Sequence, residues 1–254
     1  MNMIEALILG SLQGMTEFLP ISSSGHLVLG QRLLGLSLPG NFFEVLVHLG
    51  TLCSILVVFR KDIMDLIRSI KSEESKKLII SLIFGTVPAV IIGLTMKTEI
   101  DQLFSHPFAV SYSLIITGVW LITIKWFVNK NADISWKNGF IIGCVQAIAI
   151  IPGISRSGAT IGIAMLLGIS PKKAARFSFL LAIPVIAGAG LLTAIDVTTA
   201  QISSFSTGSI LIAFISSFLV GWAALTWLLT LISKGQFHWF GLYCLTLGIL
   251  TLSY

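Results

Sequence analysis

Gln13-Gly14-Met15-Thr16-Glu17-Phe18-Leu19-Pro20-Ile21-Ser22-Ser23-Ser24-Gly25-His26 has a counterpart later in the same chain, Gln146-Ala147-Ile148-Ala149-Ile150-Ile151-Pro152-Gly153-Ile154-Ser155-Arg156-Ser157-Gly158-Ala159. The offset of 133 continues as Leu33-Leu34-Gly35-Leu36-Ser37 against Leu166-Leu167-Gly168-Ile169-Ser170, and nine of the 25 positions from Gln13 to Ser37 are identical. The identities include the glutamine, serine and glycine positions, not only abundant leucines, so the chain carries an internal duplication. Each copy breaks an apolar stretch with proline, serines and glycine, the way transport-like folds build a polar site near the bilayer midplane. The expected site lies where the copies meet.

Composition sets the class. Hydrophobic residues make up 55%, charged residues 11%, and the mean hydropathy is +0.96, whereas a soluble domain carries about 25% charged residues. The reading is an all-α polytopic membrane protein forming a single integral membrane domain over residues 1–254, with internal repeats at about 1–130 and 138–254. At about 20 residues per span there is room for roughly six to eight spans and no separate soluble domain. Met1 to Glu5 contains no basic n-region, so a cleaved signal peptide is not expected. Cys53, Cys144 and Cys244 lie in apolar segments without ligand spacing and read as reduced core residues.

Apolar runs long enough to span occur at about 42–59, 78–96, 108–128, 177–197, 208–232 and 237–254. Segments 4–36 and 139–169 are apolar but interrupted, at Pro20 and Ser22–Gly25 and at Pro152–Gly158. Their arms are too short for two full spans each, so they read as re-entrant helical hairpins, with non-helical backbone tolerated because it lines a cavity. Six transmembrane helices plus two hairpins put thirteen of the sixteen basic residues on one face: Arg60, Lys61, Arg68, Lys71, Lys76, Lys77, Lys125, Lys130, Lys137, Lys172, Lys173, Arg176 and Lys234. Both termini are then external, the first hairpin enters from outside and the second from the cytoplasm. The duplication is therefore expected to be an inverted-topology repeat.

Gln13 and Glu17 are spaced i,i+4 and share one face of the first arm; His26 follows the serine turn. Serines in such a turn cap a helix in most settings. Here the setting includes Glu17 and Arg156, each embedded in an apolar stretch, where an ionised group costs at least about 2.5–3.5 kcal/mol. Two such charges of opposite sign in paired copies are most simply partners around one polar cavity. Half-helix N-H groups, hydroxyls of Ser155, Ser157 and Thr160, and a guanidinium suit a phosphate-like anion. A carboxylate beside that anion requires a proton or a metal ion to balance it. Glu44 and His48, also i,i+4, either line the cavity or form a hydrogen-bonded core pair; His106 and His238 read as interfacial, and Arg60–Lys77 as a solvated turn touching anionic lipid.

The strings QGMTEFLPISSSGH at 13–26 and PGISRSGAT at 152–160 resemble the two signature motifs of the undecaprenyl-diphosphatase family, bacterial membrane enzymes associated with bacitracin resistance. FFEVLVHLGTL at 42–52 and AARFSFLLAIP at 174–184 resemble it too, so the likeness covers nearly the whole chain. The resemblance implies hydrolysis of undecaprenyl diphosphate to the monophosphate and phosphate, a site open to the outer face of the bacterial inner membrane, and a divalent cation, Mg2+ or Ca2+. By position it makes Glu17 the metal-linked carboxylate, Ser23 and His26 the nucleophile and proton-transfer candidates, and Arg156 the phosphate clamp. Gln13, Ser22, Ser24, Gly25, Ser155, Ser157, Gly158 and Thr160 are the substrate-binding candidates. Gln13 stands where the family motif carries either glutamate or glutamine, so a two-carboxylate metal site does not follow. The expected partners are the lipid diphosphate and membrane lipids, with a homodimer admitted and no nucleic acid; bacitracin acts by sequestering the substrate. Fold alone leaves a polyprenyl-phosphate flippase or other transporter as the alternative. The concentration of Glu17, Ser23, His26 and Arg156 favours the enzyme, with attack by Ser23 preferred over water activated by His26.

Overall fold

The computed structural model describes residues 1–38, 41–105, 108–124, 132–196, 198, 204–233 and 236–252, and among them it is helical with no strands. Chain order gives α1 Met3–Phe18, α2 Ser23–Leu33, α3 Phe42–Val58, α4 Arg60–Arg68, α5 Glu73–Thr95, α6 Lys97–Ser105 and α7 Ala109–Thr123. The second half gives α8 Trp136–Ile148, α9 Arg156–Leu166, α10 Pro171–Asp196, α11 Thr207–Ser233 and α12 Trp239–Thr251, the last entered through a 3-10 turn, Gln236–His238. His106, Lys125, Lys130 and Lys234 of the sequence reading lie outside the described residues.

Among the described residues three helices are long and apolar enough to cross a membrane, Glu73–Thr95, Pro171–Asp196 and Thr207–Ile232. The pair α3 and α4, bent by 65° at Phe59, makes a fourth candidate, and α7 and α12 are shorter apolar helices. The molecule is thus a helical, multi-pass membrane protein. Its interruptions follow local chemistry. Asn2 and Glu5 form a capping box that starts α1. Leu19, extended at φ −63° and ψ 144°, ends it before Pro20. α5 begins five residues earlier than hydropathy alone places it because Ser72 caps it, accepting the Ser75 N-H, and two glutamates fill its first turn. The stretch read as a solvated turn contains a helix, α4, whose Met64 and Ile67 are exposed beside its basic residues. Cys53 and Cys144 are only partly buried; Cys244 is fully buried, and all three are free thiols.

The two halves interdigitate. The first arm of the first break, α1, packs most extensively on α11 of the second half, and the corresponding arm α8 packs on α5 of the first; α7 pairs with α12 and α3 with both α11 and α10. Small residues let these backbones approach. A Cβ on Gly10 would lie 2.5 Å from the Ala213 carbonyl oxygen, and one on Gly143, the same position 133 residues on, 2.3 Å from that of Gly85. Around this frame run ion pairs at the chain's basic end: Arg176 Nε to Asp62 Oδ1 at 2.5 Å joins α10 to α4, and Lys173 Nζ to Asp133 Oδ1 at 3.0 Å joins it to the approach to α8. These partly exposed pairs add little stability, but they draw α4, the start of α10 and the approach to α8 together. At the other end Ser209 Oγ donates to the Met1 carbonyl and Ser111 to Thr251.

The second break depends on Gly153, whose φ of +94° lies in the left-handed region and where a Cβ would meet the Ser113 Cβ at 2.6 Å and the Val110 carbonyl oxygen at 2.7 Å. Gly153→Ala is expected to destabilise the protein by about 2 kcal/mol or more through strain and overpacking, measured as a lowered unfolding midpoint in detergent; an unchanged midpoint contradicts this account of the turn.

Candidate active site

The two breaks are built alike and meet tip to tip. Ser22 caps α2, its Oγ accepting the Gly25 N-H at 3.3 Å and lying 3.3 Å from Ser24 Oγ. Ser155 caps α9 in the same register, accepting the Gly158 N-H at 3.1 Å with Ser157 Oγ at 3.3 Å. Both turns therefore aim the free N-H groups and positive end of a half-helix at the space between them. Ser157 Oγ crosses over to donate to the Leu19 carbonyl at 3.2 Å. Ser22 differs from Ser155 in its backbone, with a positive φ of 68° that only this non-glycine residue adopts among those described, a strained conformation of the sort found at functional sites.

Between the turns sits Glu17, its side chain 5% exposed, receiving donors on both oxygens. Arg156 Nη2 reaches Oε1 at 2.6 Å across the break from the other half of the chain. On Oε2 the donors are Ser23 Oγ at 2.6 Å and Gln13 Nε2 at 3.0 Å, and His48 Nε2 lies 3.4 Å away. His48 Nδ1 donates to the Glu44 carbonyl at 2.7 Å, which fixes the ring with Nε2 toward Glu17. The i,i+4 pair of the sequence reading thus lines the cavity, with His48 facing Glu17 rather than the Glu44 side chain; the Glu44 carboxylate takes a 3.4 Å bond from Gln31. Arg156 leaves its Nη1 buried without a partner.

Other predicted residues stand behind this centre. His26 does not line the cavity: Nδ1 donates to the Ser22 carbonyl at 2.7 Å, and Nε2 meets the Tyr243 hydroxyl of α12 at 2.7 Å under a parallel ring contact. Tyr243 carried no sequence signal. Thr160 Oγ1 donates to the Arg156 carbonyl at 2.8 Å and pairs with Ser178 of α10 at 2.6 Å, bracing the helix that carries Arg156. Thr117 and Trp120 of α7 hold the second turn, with Thr117 Oγ1 to the Gly153 carbonyl, the Ser155 N-H back to Thr117, and Trp120 Nε1 to the Gly158 carbonyl.

A cavity of about 720 Å³ opens from Glu17, Ser23, Ser155, Arg156, His48 and Gln146 toward apolar walls of Phe42, Val45, Leu94, Ile100 and Leu192. Its lining joins donors and a serine hydroxyl on a carboxylate to apolar side chains that suit a hydrocarbon chain, with Asn41, Glu44, Thr193 and Asp196 standing among the latter. As arranged, the residues do not fit a cation held by protein alone: Glu17 already receives three donors, Gln13's amide among them, with His48 beside it, and the described residues contain no group of three or more His, Cys, Asp or Glu placed to hold a metal.

Residues 6–250 match the family model described as bacitracin resistance protein BacA. The chain belongs to the BacA family. It is similar to "Undecaprenyl-diphosphatase" of Christiangramia forsetii, 42% identical over 262 residues covering 98% of this chain and 97% of that one. It is equally similar to "Undecaprenyl-diphosphatase 2" of Bacillus thuringiensis, 42% identical over 260 residues covering 98% and 96%. "Undecaprenyl-diphosphatase" of Korarchaeum cryptofilum is 40% identical over 265 residues covering 100% and 99%.

In this family member the Glu17–Arg156 pair is buried, so removing one partner leaves an uncompensated charge. Glu17→Ala is expected to cost about 3–5 kcal/mol of stability, and the double variant Glu17→Ala/Arg156→Met to recover most of it, as read by thermal unfolding in detergent. Equal losses in the single and double variants are inconsistent with a stabilising pair.

Proposed function

We propose that this protein hydrolyses undecaprenyl diphosphate to undecaprenyl phosphate and inorganic phosphate, recycling a lipid carrier. The observation that supports this most is Ser23 Oγ donating to Glu17 Oε2 at 2.6 Å beside Arg156, a nucleophile on its base next to a guanidinium. In this reading the diphosphate enters the cavity beside these residues and its prenyl chain lies along the apolar walls. Ser23 Oγ attacks the terminal phosphorus as Glu17 takes its proton; the bridging P–O bond breaks, undecaprenyl phosphate leaves, and a phosphoserine remains. Glu17 passes that proton to the departing undecaprenyl phosphate and is again a base; water then attacks the phosphoserine phosphorus, its proton passes to Glu17 and on to Ser23 Oγ as the P–Oγ bond breaks, and phosphate departs. Arg156 Nη1 and the N-H groups opening α9 stabilise charge on the phosphoryl oxygens. His48 holds Glu17 in place, and His26 sets the Ser22–Gly25 turn through its bond to the Ser22 carbonyl. Were a divalent cation, Mg2+ or Ca2+, to accompany the diphosphate, Glu17 is the residue that would touch it, and it would supply neutralisation of the phosphoryl charge.

The same reading takes α3, α5, α7, α10, α11 and α12 as six spans and the pairs α1–α2 and α8–α9 as two re-entrant hairpins of an inverted repeat. Their arms support it: 16, 11, 13 and 11 residues reach about 16–24 Å, short of the roughly 30 Å hydrocarbon core. The ion pairs joining the basic clusters support a cytoplasmic assignment for that face. Leu94, Ile100 and Leu192, which line the cavity, sit at or beyond the helix ends opposite the basic clusters, which supports an outward-facing site and external termini. A carrier with the same repeat needs no serine on a carboxylate, which favours the enzyme over a flippase.

Purified protein in detergent is expected to release phosphate from undecaprenyl diphosphate, and Ser23→Ala to reduce kcat at least about 1000-fold. A wild type that releases none overturns the phosphatase, and an active Ser23→Ala points to direct attack by water. For topology, single cysteines at Ser72 and Ser204 in a cysteine-free background should react with an impermeant thiol reagent from the cytoplasmic and outer sides respectively. Labelling of both from outside would falsify the orientation.

A further inference from the structure

We propose that Gln146 is a substrate-contacting residue of this site, its amide N-H donating to an oxygen of the diphosphate. The inference rests on the phosphatase reading above. Gln146 is 1% exposed, yet neither Nε2 nor Oε1 has a hydrogen-bond partner, and the residue lines the same cavity as Ser23 and Arg156. A buried primary amide with both ends idle costs the full desolvation of each group, so the protein by itself gives no reason for a glutamine there. Apolar side chains of similar volume would fill the space at lower cost.

The duplication shows what the position does when it has a partner. Gln146 matches Gln13 at the offset of 133, on the arm preceding the break. Gln13, 0% exposed, spends its Nε2 on Glu17 at 3.0 Å. The residue of the second copy that matches Glu17 is Ile150, so the second amide faces no carboxylate of the protein. It is the same donor in an equivalent place with its anion missing. A phosphoryl group in the cavity restores that anion: the diphosphate lies between the Arg156 Nη1, also buried without a partner, and the Gln146 amide. Oε1 is then free to accept an O-H from water, the co-reactant that the second step consumes. The two copies have thus divided one role, with Gln13 positioning the base and Gln146 positioning the phosphate.

Methionine keeps the volume and removes both polar atoms. Because Gln146 has no protein partner to lose, Gln146→Met is expected to leave the unfolding midpoint in detergent unchanged or raised, while kcat/KM for undecaprenyl diphosphate falls about 10- to 100-fold, the factor carried by one hydrogen bond to a charged group. Gln146→Glu replaces the donor by a like charge and should raise KM further than Gln146→Met does. The wild type run alongside separates the two layers of argument: no phosphate release from it overturns the phosphatase reading and this inference with it. An active wild type with Gln146→Met at wild-type kcat/KM overturns the role of Gln146 alone. If Gln146→Met lowers the unfolding midpoint and Gln146→Glu binds and turns over substrate as the wild type does, the glutamine is structural and the inference also fails.

Discussion

The ion pair between Glu17 and Arg156 holds the molecule's two halves to one purpose. Either charge alone, in an apolar stretch, would carry a penalty of several kcal/mol. Together, with Ser23, Gln13 and His48 completing the carboxylate's partners, they form a neutral, hydrogen-bonded centre that the interior tolerates. The cost of separating them makes the tip-to-tip meeting of the two turns obligatory, because Glu17 ends the helix before the first break and Arg156 begins the helix after the second.

Everything around the pair serves the same geometry. The half-helices α2 and α9 are capped by serines in one register, so their N-H groups converge rather than diverge. α7 contributes hydroxyl and indole donors that pin the second turn, while α10 supplies Ser178 behind Thr160. The close packing of α1 on α11 and of α8 on α5, each through a glycine at the same place in its copy, seats the broken arms against long helices of the opposite half. Rigid support of this sort matters for phosphoryl chemistry, where catalysis comes almost wholly from placing charge and nucleophile in advance.

The centre also differs from a simple serine–histidine arrangement. The carboxylate takes the serine's hydrogen bond directly, and the histidine nearest it, His48, comes from α3 rather than from the signature turn. His26, adjacent to the serines in sequence, faces the other way toward Tyr243 because its Nδ1 is committed to the Ser22 carbonyl four residues back. On a helix that starts at Ser23, residue 26 lies only about 60° round from it, so the bonds to the Ser22 carbonyl and to Tyr243, and not helix periodicity, turn the imidazole away.

Much was legible in the chain alone. Hydropathy gave the membrane class and located the long apolar helices, though α5 and α10 start five and six residues earlier than it placed them, and the offset of 133 exposed the two broken segments and their capping serines, since helix breaks and caps are local chemistry. The expectation that Glu17 and Arg156 are partners came from the cost of isolated intramembrane charge, and the 2.6 Å contact agrees with it. What the sequence left open was everything decided by which helix lies beside which: His48 on Glu17, Tyr243 on His26, Ser178 behind Thr160, and Gln146 buried with no partner at the cavity. The helices α4 and α6 were also missed, being too short and too polar to show in a search for spans. Periodicity and burial cost are properties of a segment and can be read in order along the chain; the partner of a side chain is set by packing between segments as far apart as the 217 positions from His26 to Tyr243 or the 224 from Pro20 to Cys244, and only the folded structure fixes it.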